Sequence, residues 1–142
     1  MTYKILLPVD GSECSLHAVR HVASLAGHFK GLEAHLANVQ PLGDDWMTRR
    51  AFKSEELADM EKEWGESAIG PARALLGEAG ITPVEHLVQG EAAQTIVRLA
   101  EDLGCDQIVM GTRGLGSLGD LIMGSVATKV LHLAKLPVTL VK

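Results

Sequence analysis

Short apolar runs alternate with longer segments of helical spacing from one end of the chain to the other. The first run, Tyr3 to Val9, carries Ile5, Leu6, Leu7 and Val9 and stops at Asp10-Gly11-Ser12. A continuous apolar run bounded by turn residues is the pattern of a strand buried on both faces, and the Asp-Gly-Ser cluster predicts a turn and a helix N-cap. From Glu13 onward Leu16, Val19, Ala23, Ala26 and Phe29 share one helical face, which predicts a helix ended by Gly31. Leu32 to Gln40 reads as a second strand stopped by Pro41, and residues 41–51 are polar and predict a loop. A long helical pattern runs from about Lys53 to Glu78, and Gly70-Pro71 is expected to break or kink it, because proline removes a donor and clashes with the preceding turn.

Thr82 to Val88 predicts a third strand. Gly90 opens a third helix, with Ala93, Ile96, Val97, Ala100 and Leu103 as its buried stripe and Gly104 as its cap. Gln107 to Met110 is a fourth strand, Val126 to Lys135 has helical spacing, and Leu136 to Val141 is a last strand. Apolar strands separated by helices belong to a parallel sheet covered on both faces. The expected fold is therefore α/β: a five-stranded parallel sheet, doubly wound and Rossmann-like. With no linker, repeat or low-complexity stretch, residues 1–142 are expected to form one domain.

Composition narrows the function. The net charge of −5 opposes general nucleic-acid binding, which needs a basic face to displace counterions. No apolar run approaches the ~20 residues that span a bilayer, and the N-terminal stretch lacks a small-residue cleavage site. Cys14 and Cys105 supply neither a disulfide framework nor a metal-ligand spacing. These features predict a soluble, cytoplasmic protein.

The candidate chemistry concentrates between Gly111 and Ser125, where glycines at 111, 114, 116, 119 and 124 separate a strand from a helix. Such a turn binds phosphate, because free N–H groups and the helix dipole both favour an anion. Three phosphate motifs can be laid on it. A Walker-type loop fails, since Gly119 to Ser125 has the glycine spacing but puts Ser125 where lysine should stand. The dinucleotide pattern Gly114-x-Gly116-x-x-Gly119 follows the fourth strand instead of the first, and no acidic residue after Asp120 can hold an adenosine ribose. The third spacing, Gly111-x2-Gly114-x9-Gly124-Ser125, fits without a gap. Asp10 ends the first strand; if that strand neighbours the fourth at the switch point, its carboxylate faces the glycines across a crevice. It would there suit a ribose hydroxyl or a base amine, the alternative being a cap on the first helix.

That spacing resembles the motif of the universal stress protein family, in its nucleotide-binding (ATP-binding) branch. Further likeness lies in Ile5 to Glu13, Asp106 to Gly114, Gly124 to Ala127 and Leu136 to Val141, with residues 41 to 80 the least similar. The resemblance implies an adenine nucleotide alpha hydrolase-like fold and an adenine-nucleotide ligand, ATP or AMP. It implies that Asp10 takes the ribose or adenine edge with Pro8 and Val9 beside it, and that Val39 meets adenine through its backbone. Met110 and Gly111 would line the ribose and phosphate approach. Gly114, Gly124, Ser125 and Val126 would hold phosphates, with Arg113 placed to reach one. Magnesium can accompany a polyphosphate at such a site. Many relatives carry histidine where Asn38 stands. The resemblance also implies a homodimer in which Leu136 to Val141 pairs with its twin, covering an apolar edge strand.

The family resemblance leaves three functions open: a regulatory module switched by nucleotide, a slow ATPase, and a dimeric interaction protein that binds no nucleotide. Ser125, Arg113 and Asp120 would have to serve a phosphoryl transfer that ordinarily uses a lysine. Outside the loop, His17 and His21 have the i, i+4 spacing of a metal pair, but no carboxylate or thiolate clearly completes it. Cys14 lies near a helix N-terminus, which can lower a thiol pKa. Cys105 is expected as a small buried side chain, and Trp46 and Trp64 as anchors or partner contacts.

Overall fold

The computed structural model describes residues 2–41, 54–113 and 124–142. Strands and helices alternate as β1 (Tyr3–Pro8), α1 (Glu13–Leu25), β2 (Leu32–Gln40), α2 (Ser54–Glu78), β3 (Val84–Gln89), α3 (Ala92–Asp102), β4 (Gln107–Gly111), α4 (Ser125–Leu133) and β5 (Val138–Val141). The strands form one sheet in the order β3-β2-β1-β4-β5, and every pairing is parallel. The chain builds outward from β1 to β3, then returns to the other side of β1 to lay down β4 and β5. The strand order therefore reverses between β1 and β4, where Ile5 pairs with Gln107 and Leu6 with Ile108. Ligands in open α/β sheets bind in the crevice beyond the carboxyl ends at such a reversal.

Successive strand residues point to opposite faces, so the uninterrupted apolar run of β1 feeds two cores. Ile5, Leu7 and Val9 join Ala34, Leu36 and Val109 beneath α1 and α2. Leu6 joins Ala37, Ile108 and Met110 beneath α3 and α4. This double burial makes β1 the central strand, whereas β3, whose burial alternates between exposed and half-buried, lies at the edge.

Several boundaries differ from expectation. Helix α1 stops at Leu25 and does not continue to Phe29, and its buried face is Cys14, Ser15, Ala18, Val19 and Val22. Beyond it Ala26 still packs on the core, while Phe29 is exposed and stacks on Tyr3 at the start of β1, ring centroids 6.5 Å apart. Helix α2 runs through Pro71 as one element. Proline inside a helix costs about 3 kcal/mol, but Ile69, Ala72 and Leu76 are buried around it, and each large apolar side chain so buried contributes about 1.5–3 kcal/mol. Strand β3 is Val84–Gln89, two residues later at its start and one at its end than the pattern predicted. The last helix spans Ser125–Leu133 and not Val126–Lys135, and β5 begins at Val138 and not Leu136. The residues read as a loop at 41–51 lie, apart from Pro41, outside the described residues, as does Trp46.

Candidate functional site at the strand tips

The carboxyl end of β1 is shaped by local hydrogen bonds. Asp10 Oδ1 accepts the Ser12 N–H at 2.9 Å, forming an Asx turn, and Gly11 sits at φ +86°, where a side chain would be strained. Ser12 is the N-cap of α1, its Oγ accepting the Ser15 N–H at 3.2 Å. Asp10 is therefore not the helix cap. Its carboxylate is exposed beyond β1, on the side where strand order reverses. Pro8 and Val9 beside it are buried.

The end of β4 is packed against the first turn of α1. A Cβ on Gly111 would lie 2.8 Å from both the carbonyl carbon and the oxygen of Cys14, and 2.9 Å from its Sγ. The glycine here is thus required by helix–strand packing, a cause that the sequence pattern of a ligand loop does not reveal. Cys14 is buried, its Sγ 3.4 Å from the Val141 carbonyl and 3.7 Å from Thr112 Oγ1. Met110 is buried in the core under α3 and α4, and Arg113 is half-buried just past β4.

Thr112 closes the glycine segment at its base. Its N–H donates to Val141 at 3.0 Å, and its carbonyl accepts the Gly124 N–H at 2.6 Å. The strand exit and the start of α4 are thereby held together, while Gly114, Gly116, Gly119 and Asp120 lie outside the described residues. Gly124 is the N-cap of α4 and provides no side-chain cap bond. Ser125 and Val126, in the first turn, are exposed. Unsatisfied N–H groups at a helix N-terminus favour an anion. The N-terminus of α3, by contrast, is capped by its own carboxylate: Glu91 accepts the Gln94 N–H at 2.9 Å and pairs with Lys129 at 3.2 Å. The Gln94 N–H, aided by Lys129 against desolvation, holds the Glu91 carboxyl below the usual carboxylate range.

At the tip of β2 the backbone of Val39 is the distinctive feature. In a parallel ladder one residue turns its N–H and C=O to one neighbour and the next residue to the other. The Val9 N–H bonds the Ala37 carbonyl at 2.8 Å, and the Gly90 N–H bonds the Gln40 carbonyl at 2.9 Å. Odd-numbered residues of β2 therefore face β1, and even-numbered ones face β3. The register of β1 with β2 ends at Pro8 and Ala37. The Val39 N–H and C=O thus face the β1 side beyond the last paired residues, near the turn that carries Asp10. Two buried polar side chains brace this place. Asn38 Nδ2 donates to the Val9 carbonyl at 2.9 Å, and Gln40 Nε2 donates to Asn38 Oδ1 at 3.1 Å and to the Glu61 carbonyl of α2 at 2.7 Å. Sequence reasoning noted Asn38 only as a departure and did not find Gln40; polar residues at alternate positions of an otherwise buried strand were the available signal.

The histidine and cysteine candidates lie elsewhere or have other partners. His17 Nδ1 is 2.9 Å from the Lys142 carbonyl, and among the described residues no three His, Cys, Asp or Glu side chains converge as a metal site. Cys105 is half-buried, and burial pushes its thiol pKa up. Trp64 is exposed on α2. A cluster missed in the sequence links β2 to β3: Glu33 Oε1 accepts from His35 Nε2 at 2.6 Å, which leaves His35 Nδ1 to accept from His86 Nε2 at 2.9 Å. Burial, with the His35 ring adding to it, pushes the His86 pKa down. Among the described residues no helix is long and apolar enough to cross a membrane.

Comparison with known proteins places this geometry. The family model described as "Universal stress protein family" matches residues 1–142. Universal stress protein MJ0531 of Methanocaldococcus jannaschii is 34% identical over 142 residues, covering 98% of this chain and 81% of its own. The solved structure of MJ0577, from the same organism, superposes with a TM-score of 0.84 at 30% identity, covering 100% of this chain and 96% of its own. A universal stress protein of Archaeoglobus fulgidus solved in complex with dAMP shares the fold, with a TM-score of 0.66 at 22% identity over 100% of this chain and 98% of its own.

Proposed function

The chain belongs to the universal stress protein family, and from that premise we propose that it binds an adenine nucleotide and acts as a homodimeric regulatory or stress-response module. The observation that carries the proposal is the backbone of Val39, a donor and an acceptor turned past the end of β1 toward the turn of Asp10. Adenine presents an acceptor at N1 beside a donor at N6, the complement of that pair. Asp10 would accept a ribose hydroxyl, with Pro8 and Val9 forming the wall beside it. Met110 and Gly111 would flank the ribose. The first-turn N–H groups of Ser125 and Val126, with Gly114 and Arg113, would hold phosphate, with or without magnesium, while Gly124, whose own N–H donates to the Thr112 carbonyl, would contribute by leaving the helix end bare. The dAMP complex of the Archaeoglobus fulgidus relative supports an adenine ligand for this fold.

Isothermal titration with ATP, ADP and AMP tests the proposal. Saturable heat with a matching rise in melting temperature is expected, and no heat with any of the three rejects it. Mass spectrometry of small molecules that co-purify with the protein would name the preferred nucleotide.

The dimer we propose forms through Leu136–Val141, with residues 1–142 acting as one cytoplasmic domain. Support comes from the edge position of β5 and from Leu131 and Leu133 of α4, which leave apolar surface exposed. Light scattering on a Val138→Glu/Leu140→Glu variant is expected to report monomer mass. A folded variant that keeps the wild-type dimer mass removes β5 from the interface.

A further inference from the structure

Asn38 does more at the tip of β2 than fill buried space. Had the ladder continued, the Val39 N–H would donate to the Val9 carbonyl, the next bond after that from Val9 N–H to Ala37. Among the described residues that carbonyl is instead taken by Asn38 Nδ2, at 2.9 Å. The amide is held in place from behind, because Gln40 Nε2 donates to Asn38 Oδ1 while also bonding the Glu61 carbonyl of α2. Asn38 and Gln40 are both buried, so solvent does not compete strongly for these bonds.

We propose that Asn38 is a positioning residue for base selection: by occupying the Val9 carbonyl it keeps the Val39 N–H available to the N1 position of an adenine ring. The proposal rests on the adenine-nucleotide function above and adds the residue that sets its selectivity. With Val39 held open, its N–H and C=O meet the N1 acceptor and N6 donor of adenine. Hypoxanthine and guanine present a donor at N1 and an acceptor at position 6, so each would place donor against donor and acceptor against acceptor. A site built around buried polar groups rejects such a mismatch strongly, because its own groups are left unpaired. Without the Asn38 amide the Val9 carbonyl is free to take the Val39 N–H, which closes the ladder and withdraws the donor from the base.

The experiment compares ATP, ITP and tripolyphosphate binding in the wild type, Asn38→Leu and Asn38→Asp. Both variants approximate the shape of asparagine and lack the Nδ2 donor. Wild type is expected to favour ATP over ITP by at least about tenfold, and both variants to bring the two within about threefold, with tripolyphosphate affinity unchanged. A uniform loss of affinity for all three ligands would indicate general damage and overturn the positioning role, as would folded variants that keep the wild-type ratio. Amide exchange in nucleotide-free wild type provides a readout that needs no variant. The Val39 amide is expected to exchange faster than that of Ala37, whereas strong protection would mean the donor is already engaged and would overturn the proposal. If wild type binds no nucleotide, the proposed function fails, and the exchange measurement still reports on whether Asn38 holds the Val39 donor open.

Discussion

Replacing Gly111 with alanine separates packing from ligand approach as the reason for a glycine at the end of β4. The added Cβ would stand 2.8 Å from the Cys14 carbonyl carbon and oxygen and 2.9 Å from its Sγ. Two of these neighbours are backbone atoms in the first turn of α1, whose start is fixed by the Ser12 cap. Relief therefore requires the helix or β4 to move, and overpacking of this kind typically costs about 1–3 kcal/mol. A loss of 1 kcal/mol moves Tm by about 2–4 °C in domains slightly larger than this one, so a drop of about 3–10 °C is expected with no nucleotide present. Urea denaturation should give a lower midpoint at unchanged slope. The decisive control is Cys14→Ala. Because the backbone contacts remain when Sγ is gone, the double variant should recover only the smaller part of the loss, the two residues being in contact and therefore coupled. Recovery of most of the lost stability in the double variant would refute a backbone clash. A Gly111→Ala protein as stable as wild type would show that packing does not require the glycine.

Gly65→Ala should behave in the opposite way. Its Cβ would meet the side chain of Leu87, which is exposed and can rotate aside, while alanine gains up to about 1 kcal/mol of helix propensity; a thermal melt should find it neutral to stabilising. Ser12→Ala removes the Oγ that caps α1 and should cost about 1 kcal/mol by chemical denaturation, with the Asp10–Ser12 turn left to hold the chain. The lowered His86 pKa means that the folded state disfavours the imidazolium, so the unfolded state binds more protons on acidification. Its contribution is complete above the ordinary histidine value of about 6.5 and is lost as pH falls below it. Urea midpoints between pH 7.5 and 5.5 should therefore decline less steeply in His86→Asn than in wild type, and parallel slopes would count against the buried-histidine account.

Most of the fold was legible because its cause is local. The unbroken apolar run at Ile5, Leu6 and Leu7 could be satisfied only by burial on both faces, which places β1 in the middle of a sheet covered on both sides. Leu32–Gln40 and the stripe Ala93, Ile96, Val97 and Ala100 followed from period alone. What was not legible depends on partners distant in the chain. Periodicity carried α1 to Phe29, but the aromatic ring leaves the helix to stack on Tyr3. Pro71 gave a local signal to break α2, and the buried residues on either side of it outweighed that signal. The pairing of His35 with His86 depends on the register of β2 against β3, in which Ala37 and not His35 stands opposite His86, and no spacing within either strand encodes that.

The candidate site was legible in proportion to how far it is built from absent side chains. Glycine spacing marks places where the backbone must be bare, and Gly111 and Gly124 could be found for that reason. The same spacing cannot say what comes close. At Gly111 the neighbour is the backbone of α1, so the residue would be required even in a protein that bound nothing. At Gly124 the helix starts without a side-chain cap, whereas Glu91 fills that position in α3. A glycine N-cap forgoes the side-chain cap bond, worth a few tenths of a kcal/mol relative to serine, and a bound phosphate can satisfy the same N–H groups. These two glycines should then respond differently to ligand. Gly111→Ala should lower stability by a similar amount with and without nucleotide, while Gly124→Ser, which supplies a cap of its own, should raise stability in the absence of nucleotide and narrow the increment that nucleotide adds. Paired melts at saturating and zero nucleotide measure both. An equal nucleotide increment in Gly124→Ser and wild type would remove the α4 N-terminus from the phosphate site.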